Sequence, residues 1–297
     1  MQKYDINKHS VDTILSWIKT KEVAIPEIQR PFVWEAKKVR DLIDSLYRGY
    51  PVGYLIVSKS HEMKLKDGSK SIGQRILIDG QQRVTALMTS LLGITVLDDE
   101  YKERVIRIAY NPFALDDEDI FQVQDSSHIK SKKWIEDISI FFKPDFALFS
   151  FIRKYCNENP EITEDEFADK VNSILDIKNK ELGVIELSPE LDIETVTDVF
   201  IRINSKGSVL SQADYAMSKI AADEKYGGNV LRKAIDYFCH VAVEPSFYQK
   251  LKEHDKEFIE SDLGKEMAWL KDDYSSIYDP SYEDMLRVSF VHMFSRG

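Results

Sequence analysis

Residues Ile76–Leu87, which read ILIDGQQRVTAL, are the stretch from which the fold can be inferred most directly. Three consecutive aliphatic residues predict a short interior strand, and Asp79 with Gly80 supplies turn chemistry. Apolar residues then recur at helical spacing, namely Val84, Leu87, Met88, Leu91 and Leu92. A buried strand is therefore expected to pass almost directly into a helix.

The start of this helix is a candidate anion site. Its unpaired amides and the positive end of the helix dipole attract anions, yet Arg83 places a cation in the first turn, where a cation is normally disfavoured. A bound phosphate would explain Arg83, because the guanidinium and the amides could share its oxygens. Pairing of Arg83 with Asp79 or Glu35 would explain it equally well, and the residues alone leave both alternatives open.

The composition predicts a folded protein with limited affinity for nucleic acid. The chain has 297 residues, of which 43% are hydrophobic, so it can build one large domain or two ordinary ones. Its 40 basic and 51 acidic residues give a formal net charge of −11. Contact with DNA should therefore be local or conditional.

Several features predict a protein of the reducing cytoplasm. Cys156 and Cys239 lack a CxxC neighbour and any metal-ligand spacing. No apolar run reaches the roughly 18 residues that a membrane span requires, and the first residues lack the apolar core of a signal peptide. We expect a cytoplasmic protein without membrane contact.

The first part of the chain predicts a small α/β unit, residues 1–145. In Ile25–Trp34 two prolines hold the backbone extended. Glu35–Arg48 has the apolar spacing of a helix, whereas Tyr54–Val57 and Val105–Tyr110 are typical of strands. The predicted class is α/β, of the α+β kind.

The second part, residues 146–297, is predicted to be mostly helical and packed against the first, with a soft boundary near residue 145. Helical patterns cover Glu164–Lys180 and Val230–Val243, and the run Val184–Leu187 resembles a strand. Tyr282–Phe294 is an apolar helix pattern without polar tapering, from which we expect the chain to be a fragment of a longer protein.

A second polar group of residues lies in the helical part. Asn204–Ser208 has turn chemistry after a helical pattern, and Ser211 with Asp214 resembles a capping box for the next helix. Taken by itself, this segment is typical of an ordinary helix–loop–helix corner.

Three segments together resemble the N-terminal domain family of GmrSD-type modification-dependent restriction enzymes. They are Ile25–Trp34, Asp79–Arg83 and Phe200–Gly207, in matching order and rough spacing, and the resemblance covers most of residues 10–225. It implies a ParB/sulfiredoxin-like fold for the N-terminal unit. It also implies binding and hydrolysis of a nucleoside triphosphate with Mg²⁺.

The resemblance also implies roles for individual residues. Asp79 is the expected catalytic residue, which would orient water or a metal. Gln81, Gln82 and Arg83 would contact phosphates. The implied nucleotide-binding residues are Gln29, Arg30, Gly80, Gln81, Gln82, Arg83, Asn204 and Lys206. Because no GxxxxGK[ST] sequence occurs, Arg83 and Arg30 would have to neutralise the phosphate charge.

Relatives in this family often carry a C-terminal HNH nuclease domain, and this chain lacks that motif. Its six histidines are scattered along the sequence. The expected partners are DNA, including modified DNA, and a nuclease domain or subunit outside this chain. A homodimer is a further candidate assembly.

Three functional hypotheses follow. The first is a nucleotide-dependent sensor or regulatory module of an anti-phage restriction system. The second is a ParB-like, metal-dependent nuclease that uses Asp79 with Glu27 or Glu35. The third is a non-catalytic module that binds nucleotide or DNA.

A basic segment, Lys130–Trp134, is the best local candidate for DNA contact. Lys130, Lys132 and Lys133 could bind phosphates, and Trp134 could stack on a base. Basic runs of this length are also common on ordinary solvated surfaces.

Overall fold

The described residues of the computed structural model form two compact units. The first extends to Pro189 and the second begins at Glu190, whereas the sequence predicted a soft boundary near residue 145. The first unit includes helices that follow residue 145, because a late strand of the chain completes its sheet. The described residues are 3–24, 32–58, 75–97, 103–116, 120–191, 195–196, 199, 216–217, 220, 227–272 and 279–294.

A five-stranded mixed sheet forms the centre of the first unit, in the order β1-β9-β3-β4-β2. Two antiparallel pairs, β5 with β6 and β7 with β8, lie outside it. The strands are β1 (Tyr4–Ser10), β2 (Val23–Ala24), β3 (Tyr54–Ser58), β4 (Arg75–Asp79), β5 (Val96–Leu97), β6 (Glu103–Arg104), β7 (Ile108–Tyr110), β8 (Phe121–Val123) and β9 (Glu181–Leu187).

Helices accompany the sheet in the first unit and are the main elements of the second. The first unit contains α1 (Val11–Lys19), α2 (Ala36–Tyr47), α3 (Gln81–Leu92), α4 (Ser126–Lys130), α5 (Leu148–Glu158) and α6 (Glu164–Leu175), with 3-10 turns at Ile138–Phe142 and Asp176–Asn179. The second contains α7 (Gly228–Val243), α8 (Phe247–His254), α9 (Lys256–Glu260), α10 (Asp262–Glu266) and α11 (Tyr282–Phe294), with a 3-10 turn at Ala268–Asp272. The predicted α+β class is confirmed.

The predicted strand and helix at Ile76–Leu87 are confirmed. Strand β4 lies between β3 and β2, and Ile76, Leu77 and Ile78 are buried. Helix α3 is buried along most of its length and packs against α1, α2 and the 3-10 turn at Ile138–Phe142. This burial fixes where α3 begins, and so fixes the side chains of its first turn.

Helix α2 also follows its sequence pattern. The predicted apolar face is buried, and Gly49 follows the helix end with a φ of +74°. Its buried residues are Val39, Leu42, Ile43 and Leu46. The left-handed backbone at Gly49 is the conformation in which glycine commonly ends a helix.

Strand β9 connects the late chain to the central sheet. It pairs antiparallel with β1 and parallel with β3, so that Gly183 lies between Lys8 and Tyr54. The strand-like run at Val184–Leu187 is thus part of the first unit. Strand β1 itself was not predicted, because its mostly exposed sequence gives little hydrophobic alternation.

The second unit has its own hydrophobic core and a buried ion pair. The core residues are Ala234, Val241, Tyr248, Leu251, Phe258, Met267 and Leu270. Lys233, which is buried, forms an ion pair with Asp255, and the Tyr237 hydroxyl donates a hydrogen bond of 2.9 Å to the same carboxylate. In the described part of the chain, no helix has the length and apolar character needed to cross a membrane.

Candidate functional site at the start of helix α3

Gly80 forms the junction between β4 and α3. Its φ of +97° lies in the left-handed region, which disfavours other residues. A Cβ atom at this position would overlap Cδ2 of Leu55 on the neighbouring strand. The backbone angle therefore favours glycine, and any larger residue would also force the Leu55 side chain to shift. Helix α3 begins without a side-chain cap hydrogen bond.

Arg83 lies between two glycines in the first turn of α3. Its Nη1 donates a hydrogen bond of 2.8 Å to the carbonyl oxygen of Tyr54. A Cβ atom on Gly53 would lie 2.8 Å from Nη2, and one on Gly80 would lie 3.2 Å from Nη1. We call this space between Gly53 and Gly80 the glycine slot.

The charge of Arg83 is only weakly compensated within the described residues. Burial lowers the pKa of its guanidinium, and the charge of Asp79 opposes that shift. In the described ranges Arg83 forms no ion pair with Asp79 or Glu35, and its buried Nε has no hydrogen-bond partner there. A half-buried cation in this state would be stabilised by an anion that approached it.

The two glutamines of the motif have different environments. Oε1 of Gln82 accepts a hydrogen bond of 2.9 Å from the backbone amide of Val33. Gln81 is 6% exposed, and its buried Oε1 has no hydrogen-bond partner among the described residues. Gln82 therefore holds the backbone of another segment, whereas Gln81 retains an acceptor for a donor such as a hydroxyl group or a water molecule.

The hydrogen bond to Val33 connects α3 with the end of the proline-bounded segment. The same segment is held by Arg104, whose Nη2 donates a hydrogen bond of 2.8 Å to the Trp34 carbonyl. The Arg104 guanidinium also lies 5.4 Å from the ring centroid of Phe32, which is buried. The described end of the proline-bounded segment, residues 32–34, therefore lies against the first turn of α3 and Arg104.

Sequence reasoning missed the contributions of Gly53, Tyr54 and Arg104. The signal at Gly53 was a glycine immediately before a strand, a position that often indicates close approach of another group. The acceptor on Tyr54 is a backbone carbonyl, which every residue has. No residue type in the sequence could have identified it.

Several predicted site residues lie outside the described residues. They are Gln29, Arg30, Asn204 and Lys206, together with Glu27 of the nuclease hypothesis and the capping box at Ser211. In the ranges that the structure does describe, no three histidine, cysteine, aspartate or glutamate residues are grouped as a metal site. Asp79 lies at the end of β4, one residue before the junction glycine.

The predicted DNA-contacting segment is a braced surface loop, which we call the basic loop (Lys130–Trp134). Asn159, only 3% exposed, donates a hydrogen bond of 3.0 Å to the Lys132 carbonyl, and the Tyr155 hydroxyl donates one of 2.9 Å to the Lys133 carbonyl. Because these two hydrogen bonds are made to backbone carbonyls, they leave the three lysine side chains exposed.

The aromatic residue of the basic loop has an internal contact. The rings of Trp134 and His128 meet edge to face, with centroids 4.4 Å apart, and His128 accepts a hydrogen bond of 3.1 Å from the Asp125 amide. Two exposed acidic residues, Asp125 and Glu136, flank the loop. Trp134 is partly buried, so the lysines are the more accessible groups.

The fold and the site define a class: a mixed α/β protein in which a strand, a glycine and a buried helix present an arginine and two glutamines. Residues 11–221 match the family described as GmrSD restriction endonuclease, N-terminal domain, and the chain belongs to that family. The family connects the chain with a DNA restriction system.

One relative among curated proteins adds information on length. The chain is 26% identical over 242 residues to an uncharacterized protein of Methanocaldococcus jannaschii, a match that covers 71% of this chain and 42% of the relative. The chain therefore spans less than half the length of that relative.

Proposed function

We propose that this chain is a nucleoside triphosphate-binding and hydrolysing regulatory module of a DNA restriction system. The observation that supports it best is Arg83, a half-buried cation in the glycine slot that feels the charge of Asp79 but forms no ion pair among the described residues. It lies in the first turn of a helix whose amides and dipole also favour an anion. Phosphate oxygens are the ligand chemistry that satisfies both groups.

The other residues of the motif have complementary roles in this proposal. The Gln81 side chain offers a donor for phosphate and a buried acceptor for a hydroxyl group or water. Gln82 maintains the position of Val33, and Gly80 allows close approach of the ligand to the backbone. Gln29, Arg30, Asn204 and Lys206 are proposed to complete the nucleotide site.

A magnesium ion would be held in this site mainly by the phosphates of the bound nucleotide. Mg²⁺ is usually held by phosphate oxygens, water and one or two carboxylates. Asp79, at the end of β4, supplies a carboxylate four residues before Arg83. When bound, Mg²⁺ would neutralise phosphate charge, and Asp79 would hold or orient water near the motif.

The proposal extends to partners outside this chain. Nucleotide binding and hydrolysis would control engagement of DNA, including modified DNA, and the activity of a nuclease domain or subunit. The basic loop is proposed as one DNA contact, because its exposed lysines make no ion pair with the described residues. The positive charge of this loop would have to overcome the repulsion between DNA and a protein of net charge −11.

Titration of the protein with each of the four ribonucleoside triphosphates and Mg²⁺, following both binding and phosphate release, tests the proposal. Arg83→Ala should weaken binding by about tenfold or more, since it removes a charged hydrogen-bonding group worth about 1.5–3 kcal/mol. Arg83→Lys should restore only part of the loss, because an ammonium group lacks the planar fork. Arg153→Ala, which removes an exposed arginine from α5, is the matched control and should bind normally.

The outcomes separate the three functional hypotheses. Binding and turnover that both depend on Arg83 would support the nucleotide-regulated module. Binding without turnover would favour a non-catalytic module. Absence of binding to all four nucleotides would refute the nucleotide site, and metal-dependent cleavage of DNA without nucleotide would then favour the nuclease.

A further inference from the structure

The residue that accepts the Arg83 hydrogen bond has a second feature, an exposed aromatic ring. Tyr54 is the first residue of β3, and 54% of its surface is exposed. Its carbonyl oxygen lies 2.8 Å from Nη1 of Arg83. The motif arginine and this ring are thus connected through a single residue.

The ring of Tyr54 lies directly on the backbone of the neighbouring strand. Tyr54 pairs with Gly183 in the parallel register of β3 and β9. A Cβ atom on Gly183 would overlap Cδ1 of the Tyr54 ring, so only glycine permits this approach. The strand backbone supports one side of the ring, and the large exposed fraction leaves the other side accessible to solvent.

We infer that Tyr54 is a stacking platform for the base of the nucleotide whose phosphates Arg83 binds. The inference rests on the proposed function and adds the position of the base to it. Aromatic rings bind bases of any sequence through their faces. A ring that its own backbone and a glycine hold in place loses little conformational entropy on binding. The ring and the carbonyl that binds Arg83 belong to the same residue, and a nucleoside triphosphate is longer than one residue. One ligand can therefore reach both the ring and Arg83.

The ring also has a structural explanation that the experiment must separate from stacking. An aromatic side chain that covers a glycine on the adjacent strand stabilises a sheet whether or not a ligand binds. Tyr54→Leu keeps an apolar group over Gly183 but removes the aromatic face. Tyr54→Phe keeps the face and removes only the hydroxyl group.

The test compares a nucleotide with its phosphate chain alone. Binding of the four ribonucleoside triphosphates and of inorganic tripolyphosphate, each with Mg²⁺, is measured by calorimetry for wild type and both variants. We expect Tyr54→Leu to bind the preferred nucleotide about tenfold more weakly and tripolyphosphate with unchanged affinity. Tyr54→Phe should match wild type for both ligands.

Tyr50→Ala is the matched control. Tyr50 is 59% exposed and lines a different surface depression, with Asp176 and Lys180. Its removal should leave both affinities unchanged. Thermal melting of each variant confirms that the fold is retained.

The outcomes distinguish failure of the platform from failure of the nucleotide site. Equal nucleotide affinity in wild type and Tyr54→Leu would overturn the platform while leaving the proposed function intact. An equal loss for nucleotide and tripolyphosphate would also overturn it, because Tyr54 would then act only through Arg83. If wild type binds neither ligand, the proposed function fails and the platform fails with it.

Discussion

Replacement of Gly53 by alanine should displace the Arg83 guanidinium without removing any polar or charged side chain. The added Cβ atom would lie 2.8 Å from Nη2 and 3.4 Å from Cζ of Arg83, so the side chain must shift. The φ of +89° at Gly53 adds a backbone cost, since left-handed geometry disfavours alanine by roughly 1–2 kcal/mol. Loss of the charged hydrogen bond to Tyr54 would cost about 1.5–3 kcal/mol more.

Gly49→Ala separates these two contributions. Gly49 has a comparable φ of +74°, but a Cβ atom there meets nothing within 4 Å. This control should therefore lose about 1–2 kcal/mol of unfolding free energy from the backbone alone. Gly53→Ala should lose about 1.5–3 kcal/mol beyond it, which corresponds to a further decrease in melting temperature of roughly 3–12 °C.

Circular dichroism melting and nucleotide titration measure the two consequences. Gly53→Ala should weaken binding of the preferred nucleotide about tenfold, whereas Gly49→Ala should bind like wild type. Equal melting temperatures and equal affinities in the two variants would refute the reasoning. The position of Arg83 would then not depend on the glycine slot.

Two further predictions concern other parts of the chain. Lys132→Glu with Lys133→Glu should weaken duplex DNA binding and reduce the slope of log affinity against log salt by about 2, since each lysine is proposed to contact one phosphate. In the second unit, burial acts to raise the pKa of Asp255, but Lys233 and Tyr237 outweigh it and hold that pKa below its usual value. The ionised Asp255 carboxylate should therefore stabilise the fold fully above about pH 4, and this stabilisation should be lost as the pH falls through the folded-state pKa of Asp255. In a plot of melting temperature against pH, Asp255→Asn should therefore reduce the decrease at acid pH.

Each of these predictions has a control. Lys256→Glu with Lys265→Glu makes the same charge change at exposed positions of the second unit and should leave the DNA salt slope unchanged. An unchanged slope in the basic-loop variant would instead remove that loop as a DNA contact. For the acid limb, Asp262→Asn alters an exposed carboxylate, and an equal effect from both aspartates would contradict a specific role for Asp255.

The sequence predicted those elements whose signal is local. The apolar face of α2 followed from its helical periodicity, and the strand at Ile76–Ile78 followed from three consecutive aliphatic residues, since both elements are buried in the core. Strand β1 gave no such signal, because it is mostly exposed and is defined by its pairing with β9. Nothing in the local sequence specifies a partner that is about 180 positions away along the chain.

In the candidate site, too, some features have a local sequence signal and others depend on distant partners. Residue types at Asp79–Arg83 indicated where polar chemistry would lie, and Asp79 with Gly80 indicated a turn there. The partners of Arg83 and Gln82 are the Tyr54 carbonyl and the Val33 amide. These backbone groups occur at almost every position, so only the fold could identify them.

The position of Arg83 also determines what a bound anion would gain. Ordering a long side chain costs up to about 1.5–2 kcal/mol, and in Arg83 the Tyr54 hydrogen bond and the glycine slot already impose that order in the folded protein. A ligand would not have to supply this free energy again, so its affinity should depend on the slot as well as on the positive charge. A lysine at this position would keep the charge but lose the planar donor set that the slot orients, which is why Arg83→Lys is the stricter test of the site.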